Sequence, residues 1–194
     1  MYHYTKLNNF LKIFEDDTFL LSSFDNANDS KEKVRRVFEN GEQICDFKYL
    51  SACDWNGLDN GLPLLSFSNS MLWYFYAENH KGVCIEFDKL KLKDLPVKPV
   101  IEGKVQYKRG VTRIDEQSIK DYILEKRPCW IGENEYRMVF KNVERIPNIC
   151  SYISAVYFGA NVCVEKICCS IPEGICKYRM YYDSNDGRLN RMKL

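Results

Sequence analysis

Histidine, proline and long apolar runs are scarce in this chain of 194 residues, and its two charge signs almost cancel. The sequence holds 2 histidines and 6 prolines, and its formal net charge is +1. A charge so close to zero gives no strong field for a nucleic acid or a membrane surface. No signal peptide or long apolar segment opens the chain, so we expect a cytoplasmic protein without a membrane partner.

The 9 cysteines lack the spacing that metal and redox sites require. No CxxC pair occurs, and only Cys168 and Cys169 are adjacent. A zinc ribbon or a thioredoxin-like site therefore has no support, and we predict no metal site. Cys84 and Cys163 stand among apolar residues, as small core residues do, which favours a reducing compartment.

The apolar pattern predicts a single α+β domain over residues 1–194, with two helices near the start and strands concentrated later. The first helix is expected within residues 6–14. A second is expected over 31–47, with Asp29 and Glu32 at the spacing of a capping box. Further helices are predicted at 71–80 and 115–127, and residues 184–194 should form a polar, frayed tail.

The segment "WIGENEYRMVF" places Glu133, Glu135 and Arg137 on alternate positions. On a strand, these three side chains would share one face. One interpretation is an exposed face whose charges pair through solvent. The other is a functional site in which one carboxylate takes part in the chemistry. Arg137 would lower the pKa of that carboxylate, and the second carboxylate would raise it.

Two other segments carry residues suited to a ligand site. In the helix predicted at 71–80, Trp73, Tyr76 and His80 share a face. This face could pack in the protein core, or it could bind a ligand that has a flat polar ring. His3 shares a face of the first strand with Thr5, either as a structural residue or as a ligand contact.

The chain resembles an uncharacterised bacterial domain family on four motifs that occur here in the family's order. They are "YHYT" at Tyr2–Thr5, "NDSKE" at Asn28–Glu32, "MLWYFYAENHKG" at Met71–Gly82 and "WIGENEYR" at Trp130–Arg137. That family in turn looks like mono-ADP-ribosyltransferases, above all bacterial toxins that modify nucleic acid. The resemblance implies a split, mostly antiparallel sheet around an NAD cleft.

Carried over residue by residue, the resemblance implies that His3 and Thr5 hold the NAD ribose. Tyr76, with Trp73 or Tyr74, would stack on the nicotinamide. Glu135 would be the catalytic carboxylate beside the ribose, and Glu133 would orient or deprotonate the acceptor. Arg137 would keep the two carboxylates ionised. The toxins' arginine before the aromatic helix has candidates in Arg35 and Arg36.

The same resemblance implies a toxin or phage-defence effector, with RNA or DNA as the favoured acceptor, protein as another, and an antitoxin as partner. Basic residues within 107–113 would suit phosphates. Two hypotheses from other functional classes stay open. One is a metal-dependent nuclease using Glu133 and Glu135 with Asp29 or His80. The other is a non-catalytic domain that binds a ligand or partner through the aromatic helix.

Overall fold

The computed structural model describes residues 1–30, 32–33, 37–38, 41–54, 56–59, 62–109, 118–165 and 167–194. The fold is α+β, as the sequence predicts: strands dominate, helices are short, and most of the strand pairs with a described register are antiparallel. The chain forms two compact units. The first comprises Met1–Phe19, Cys53–Leu95 and Pro147–Leu194, and the second comprises Leu20–Ala52 and Pro96–Ile146.

The elements follow one another with few helices between the strands. The strands are β1 (Tyr2–Thr5), β2 (Thr18–Leu20), β3 (Ser22–Ser23), β4 (Phe47–Cys53), β5 (Asn56–Asp59), β6 (Leu62–Leu65), β7 (Val83–Phe87), β8 (Ile101–Lys104), β9 (Gln106–Tyr107), β10 (Glu125–Lys126), β11 (Glu135–Lys141), β12 (Arg145–Pro147), β13 (Ile153–Phe158), β14 (Cys176–Tyr182) and β15 (Leu189–Lys193). The α-helices are α1 (Leu7–Asp16), α2 (Ser70–Phe75) and α3 (Ile119–Ile123). Among the described residues, no helix is both long and apolar enough to cross a bilayer.

In the first unit, five strands lie in the order β15-β14-β13-β7-β1. The β13–β14 pair is parallel and the other three are antiparallel. Side chains alternate between the two sheet faces. On one face, Phe10 of α1 packs edge-on against Phe158, with ring centres 5.9 Å apart. On the other face, Tyr4 packs against Trp73 of α2, with ring centres 5.2 Å apart.

In the second unit, β11 lies between β4 and β8, and β3 pairs with β4. The two-residue strands β9 and β10 run parallel to each other. Eight buried apolar residues of this unit form one cluster: Phe24, Ile44, Phe47, Tyr49, Tyr122, Ile123, Leu124 and Val139. Ser118 accepts a hydrogen bond from the Asp121 amide at 3.2 Å and so caps α3.

The helix predicted over 31–47 is not found in the described part of that segment. Val37 forms an isolated bridge with Gln43, and Ile44–Asp46 is a short 3-10 helix. Arg35 and Arg36, the candidates for the missing arginine, lie outside the described residues. The expected polar tail also differs, because β15 pairs with β14 over five residues of it.

The helix predicted at 71–80 begins one residue earlier and ends at Phe75. Its start is capped by the Asn69 side chain, which accepts a hydrogen bond from the Leu72 amide at 3.2 Å. It ends early because Glu78, Asn79 and His80 all have positive φ, which a right-handed helix forbids. The chain turns sharply there and brings the His80 carbonyl against Gly159.

Gly159 should be intolerant of a side chain. A Cβ at this position would lie 2.2 Å from the His80 carbonyl oxygen, which is rigid backbone. We expect Gly159→Ala to lower the free energy of unfolding by about 1–3 kcal/mol, the usual cost of overpacking. The matched control is Gly174→Ala, where a Cβ meets nothing within 4 Å. Equal denaturation midpoints for the two variants would contradict the close contact.

Candidate active site

Five charged side chains are buried together in the second unit. They are Glu32, Lys126, Glu133, Glu135 and Arg137, and we call them the charged cluster; each residue is 5% exposed or less. Three carboxylates face two cations, so full ionisation leaves a net charge of −1. Buried charges are stable only when they are paired and hydrogen-bonded, and each of these contacts at least one opposite charge.

Arg137 is the centre of the charged cluster and is fully buried. Its Nε and Nη2 donate to the two carboxylate oxygens of Glu135 at 2.7 and 3.0 Å, as a bidentate pair. Its Nη1 donates to the Ile123 carbonyl at 2.6 Å and also ion-pairs with Glu32. The guanidinium lies 4.8 Å from the Tyr49 ring centre. All three guanidinium nitrogens are therefore occupied.

Lys126 joins the carboxylates to one another. Its Nζ donates to Glu133 at 2.6 Å, lies 2.7 Å from the second oxygen of Glu135, and lies 3.8 Å from Glu32. Sequence reasoning missed this residue, because the helix predicted at 115–127 would place it on a solvated end. In the structure it lies in β10, and no periodic signal distinguishes a strand of two residues.

The pKa values follow from this pairing. Burial would raise the pKa of Glu135, but Arg137 and Lys126 outweigh it and hold the pKa at about 2. Burial would lower the pKa of Lys126, but Glu135 outweighs it and the pKa rises. Glu32 differs, because burial dominates and raises its pKa despite Arg137 and Lys126. Glu135 is thus an ionised carboxylate at neutral pH.

The expectation of a single strand row holds only for Glu135 and Arg137, which share a face of β11. Glu133 ends the 3-10 helix Pro128–Glu133, and Asn134 follows in the left-handed conformation with φ of 40°. The left-handed conformation of Asn134 breaks the alternation of side chains that the sequence predicts for this strand. The interpretation as an exposed face was wrong, because all three charged residues are buried.

The motif "NDSKE" contributes to the same unit, although it does not form the expected capping box. Asp29 is fully buried and accepts from the backbone N–H and Nε–H of Arg127 at 3.0 and 2.8 Å. The Arg127 Nη2 donates to Ser30 at 2.8 Å. Asp29 therefore anchors the residue that follows Lys126, and Glu32 joins the charged cluster itself.

The aromatic residues Trp73 and Tyr76 belong to the first unit. Trp73 is fully buried, donates its Nε1–H to the Phe67 carbonyl at 2.7 Å, and stacks on His80 with ring centres 5.3 Å apart. It is therefore packed as a core residue. Tyr76 is half-buried against the same core cluster. The predicted stacking on nicotinamide is better suited to Tyr76 than to Trp73.

His80 is held by an exposed tyrosine. Its Nε2 shares a hydrogen bond with the Tyr182 hydroxyl at 2.8 Å. Its Nδ1 is buried and has no hydrogen-bond partner among the described residues. Burial lowers the pKa of the imidazole, so His80 is neutral at physiological pH.

His3 and Thr5 lie on the sheet face opposite to Trp73. The alternation along β1 sends His3 toward Phe19, whose ring centre is 4.9 Å away, and Tyr4 toward Trp73. The residues of the first unit that are predicted to hold NAD are therefore divided between two faces of its sheet. The sequence could not show this, because it does not reveal on which face α2 packs.

Comparisons with known proteins give one partial match. A family model described as a protein of unknown function (DUF2971) matches residues 72–138. The matched segment includes Tyr76, Lys126, Glu133, Glu135 and Arg137. No curated protein and no solved structure matches the chain. The sequence is thus similar to an uncharacterised family over about a third of its length, and no match carries an activity.

Arg137 should be the most costly residue of the charged cluster to remove. Arg137→Met would leave three carboxylates facing Lys126 alone, and breaking a buried pair in this way costs about 3–5 kcal/mol of unfolding free energy. The matched control is Arg188→Met, since Arg188 is exposed and pairs with Asp186 at 3.5 Å. Urea denaturation of both variants tests this, and a loss below about 1 kcal/mol for Arg137→Met would refute it.

Proposed function

We propose that this protein is an NAD-dependent mono-ADP-ribosyltransferase with Glu135 as its catalytic carboxylate. One observation supports the proposal above the others. Glu135 stays ionised in a buried setting, because Arg137 binds it through both oxygens and Lys126 binds one of them. A fixed negative charge in a dry environment stabilises a developing cation far more than it would in water.

The reaction breaks the bond between the nicotinamide nitrogen and C1′ of the ribose, and the electron pair leaves with nicotinamide. The ribose becomes an oxocarbenium-like cation, which the Glu135 carboxylate stabilises as the charge develops. A nucleophilic oxygen or nitrogen of the acceptor then bonds to C1′. On this proposal a ribose hydroxyl that binds Glu135 displaces the Lys126 ammonium, since Arg137 holds the carboxylate more firmly.

Glu133 takes the proton from the acceptor. Its carboxylate and that of Glu135 are bridged by the same ammonium, at 2.6 and 2.7 Å from Lys126 Nζ. Once the ribose hydroxyl displaces Lys126 from Glu135, the Glu133 carboxylate acts as the base. His3 and Thr5 lie on the sheet face opposite to Trp73, so the proposal rests on Glu135 and not on the predicted NAD contacts of the first unit.

Glu135→Gln tests this assignment. The variant keeps the shape and removes the charge, so we expect nicotinamide release from NAD to fall by about 10²-fold or more. The fold should survive, because one carboxylate fewer leaves two carboxylates facing two cations. The control is Glu125→Gln, a carboxylate equally buried and paired with Lys108 at 3.5 Å. Nicotinamide release that is unchanged in Glu135→Gln, or absent from the wild type with cell extract as acceptor, would sink the proposal.

The acceptor on this proposal is RNA or DNA, and the role is that of a bacterial toxin or phage-defence effector with an antitoxin partner. Expression of the wild type should slow growth, whereas Glu135→Gln should not. Nucleic acid from these cells should gain one ADP-ribose, measured as label from radioactive NAD. Label found solely on protein would contradict the choice of acceptor and leave the transferase assignment in place.

A non-catalytic binding domain is the second candidate. It is favoured by α2, which exposes the neighbouring side chains Tyr74 and Phe75 at 61% and 57%. A metal-dependent nuclease is a poorer fit to the geometry. The position between Glu133 and Glu135 that a cation would take is occupied by the Lys126 ammonium. Activity that chelators abolish would favour the nuclease.

A further inference from the structure

The hairpin of β14 and β15 is more basic than the chain as a whole. Residues 176–194 carry five lysines and arginines against two aspartates, whereas the net charge of all 194 residues is +1. β15 is the edge strand of the first unit's sheet. Exposed aromatic rings accompany the charges, with Tyr181 at 43% and Tyr182 at 49% exposure.

Arg191 of β15 is held rigidly on a platform of rings. Its guanidinium carbon lies 4.6 Å from the Phe67 ring centre, 4.5 Å from that of Tyr178 and 5.6 Å from that of Tyr157. Its Nη1 donates to the Tyr157 hydroxyl at 2.7 Å, and that hydroxyl donates to Glu86 at 2.5 Å. Stacking and one hydrogen bond thus fix the plane of the guanidinium, although the residue as a whole is exposed.

The remaining donors of Arg191 are available. Within the described part of the chain, no carboxylate forms an ion pair with Arg191, and the Tyr157 hydroxyl is its single hydrogen-bond partner. Arg137 differs, since its guanidinium already binds Glu135, Glu32 and the Ile123 carbonyl. A rigid guanidinium with free N–H groups is suited to an oxyanion such as phosphate.

The strand register places a second cation and an exposed ring on the same face as Arg191. Arg191 lies opposite Met180, Lys193 opposite Tyr178, and Leu189 opposite Tyr182. Because cross-strand partners share a face, Tyr178, Tyr182, Arg191 and Lys193 lie on one side of the hairpin. We call these four residues the C-terminal edge. Lys193 is two residues from Arg191, a spacing of about 6–7 Å along the strand.

We propose that the C-terminal edge binds single-stranded nucleic acid. The backbone phosphates bind Arg191 and Lys193, and a base stacks on the exposed Tyr182. Alternation of cations with exposed aromatic rings is the pattern of proteins that bind single strands, because every base has a stacking face and every phosphate a charge. The inference rests on the nucleic-acid acceptor of the proposed function, for which it supplies the binding surface.

The test compares two double variants that remove the same charge from different surfaces. One is Arg191→Ala with Lys193→Ala. The matched control is Lys91→Ala with Lys93→Ala, two exposed cations elsewhere in the first unit. Binding of fluorescein-labelled oligouridylate and oligothymidylate is measured by anisotropy without NAD, so the result does not depend on catalysis.

We expect the first double variant to bind on the order of tenfold more weakly at about 0.1 M salt, since two phosphate contacts are lost. The slope of log affinity against log salt should decrease by about 1.4, which is twice the value for one contact with a single strand. The control variant should keep both the affinity and the slope of the wild type. Equal losses in the two double variants overturn the proposal, as does a wild type that binds neither oligonucleotide.

Two single substitutions separate specific contacts from bulk charge. Arg191→Lys keeps the charge and loses the fixed planar donor group, so we expect weaker binding with an unchanged melting temperature. Tyr182→Leu should weaken binding about fivefold or more, whereas Tyr182→Phe keeps the ring and should bind like the wild type. A Tyr182→Leu variant with wild-type affinity contradicts the stacking contact and overturns the proposal. Tighter binding of oligouridylate than of oligothymidylate would identify RNA as the preferred strand.

Discussion

The buried pair of Arg137 and Glu135 is the interaction on which the second unit depends. Taking both charges out of water is costly, and the cost is offset because each nitrogen of the guanidinium contacts an acceptor. The ring of Tyr49 and the carbonyl of Ile123 complete the enclosure. Removing Arg137 alone leaves three buried carboxylates facing Lys126, whereas removing the Glu135 charge leaves two carboxylates facing two cations. The same pairing keeps Glu135 ionised, so structure and proposed chemistry share one cause.

Part of this arrangement could be predicted from sequence. The alternation in "ENEYRMVF" correctly indicates a strand whose Glu135 and Arg137 share a face, and the α+β class follows from the distribution of strand patterns. Burial of those charges could not be predicted, because their partners Glu32 and Lys126 come from other elements. Local spacing even misled at Asp29, whose partner Arg127 lies 98 residues further along.

Where the sequence predictions were wrong, the reason was tertiary contact. The 71–80 helix stops at Phe75 because the chain must turn back to meet Gly159. Within the predicted tail, residues 189–193 form β15 because they pair with β14, although their polar composition is typical of a frayed tail. Glu133 leaves the strand because Asn134 adopts a left-handed conformation, which asparagine tolerates better than most residues.

The raised pKa of Glu32 has a consequence for the solution behaviour of the protein, because folding and proton uptake become linked. A carboxyl whose pKa is higher in the folded state binds a proton as the chain folds, so its contribution to stability declines as pH rises above about 4.5, the ordinary value. Glu135 acts in the opposite sense, and its contribution is lost as pH falls from about 4.5 toward 2. The two carboxyls therefore respond to pH in opposite senses: folding favours the protonated form of Glu32 and the ionised form of Glu135. A proton on Glu32 also cancels the net charge of −1 that the three acids and two cations carry when all are ionised.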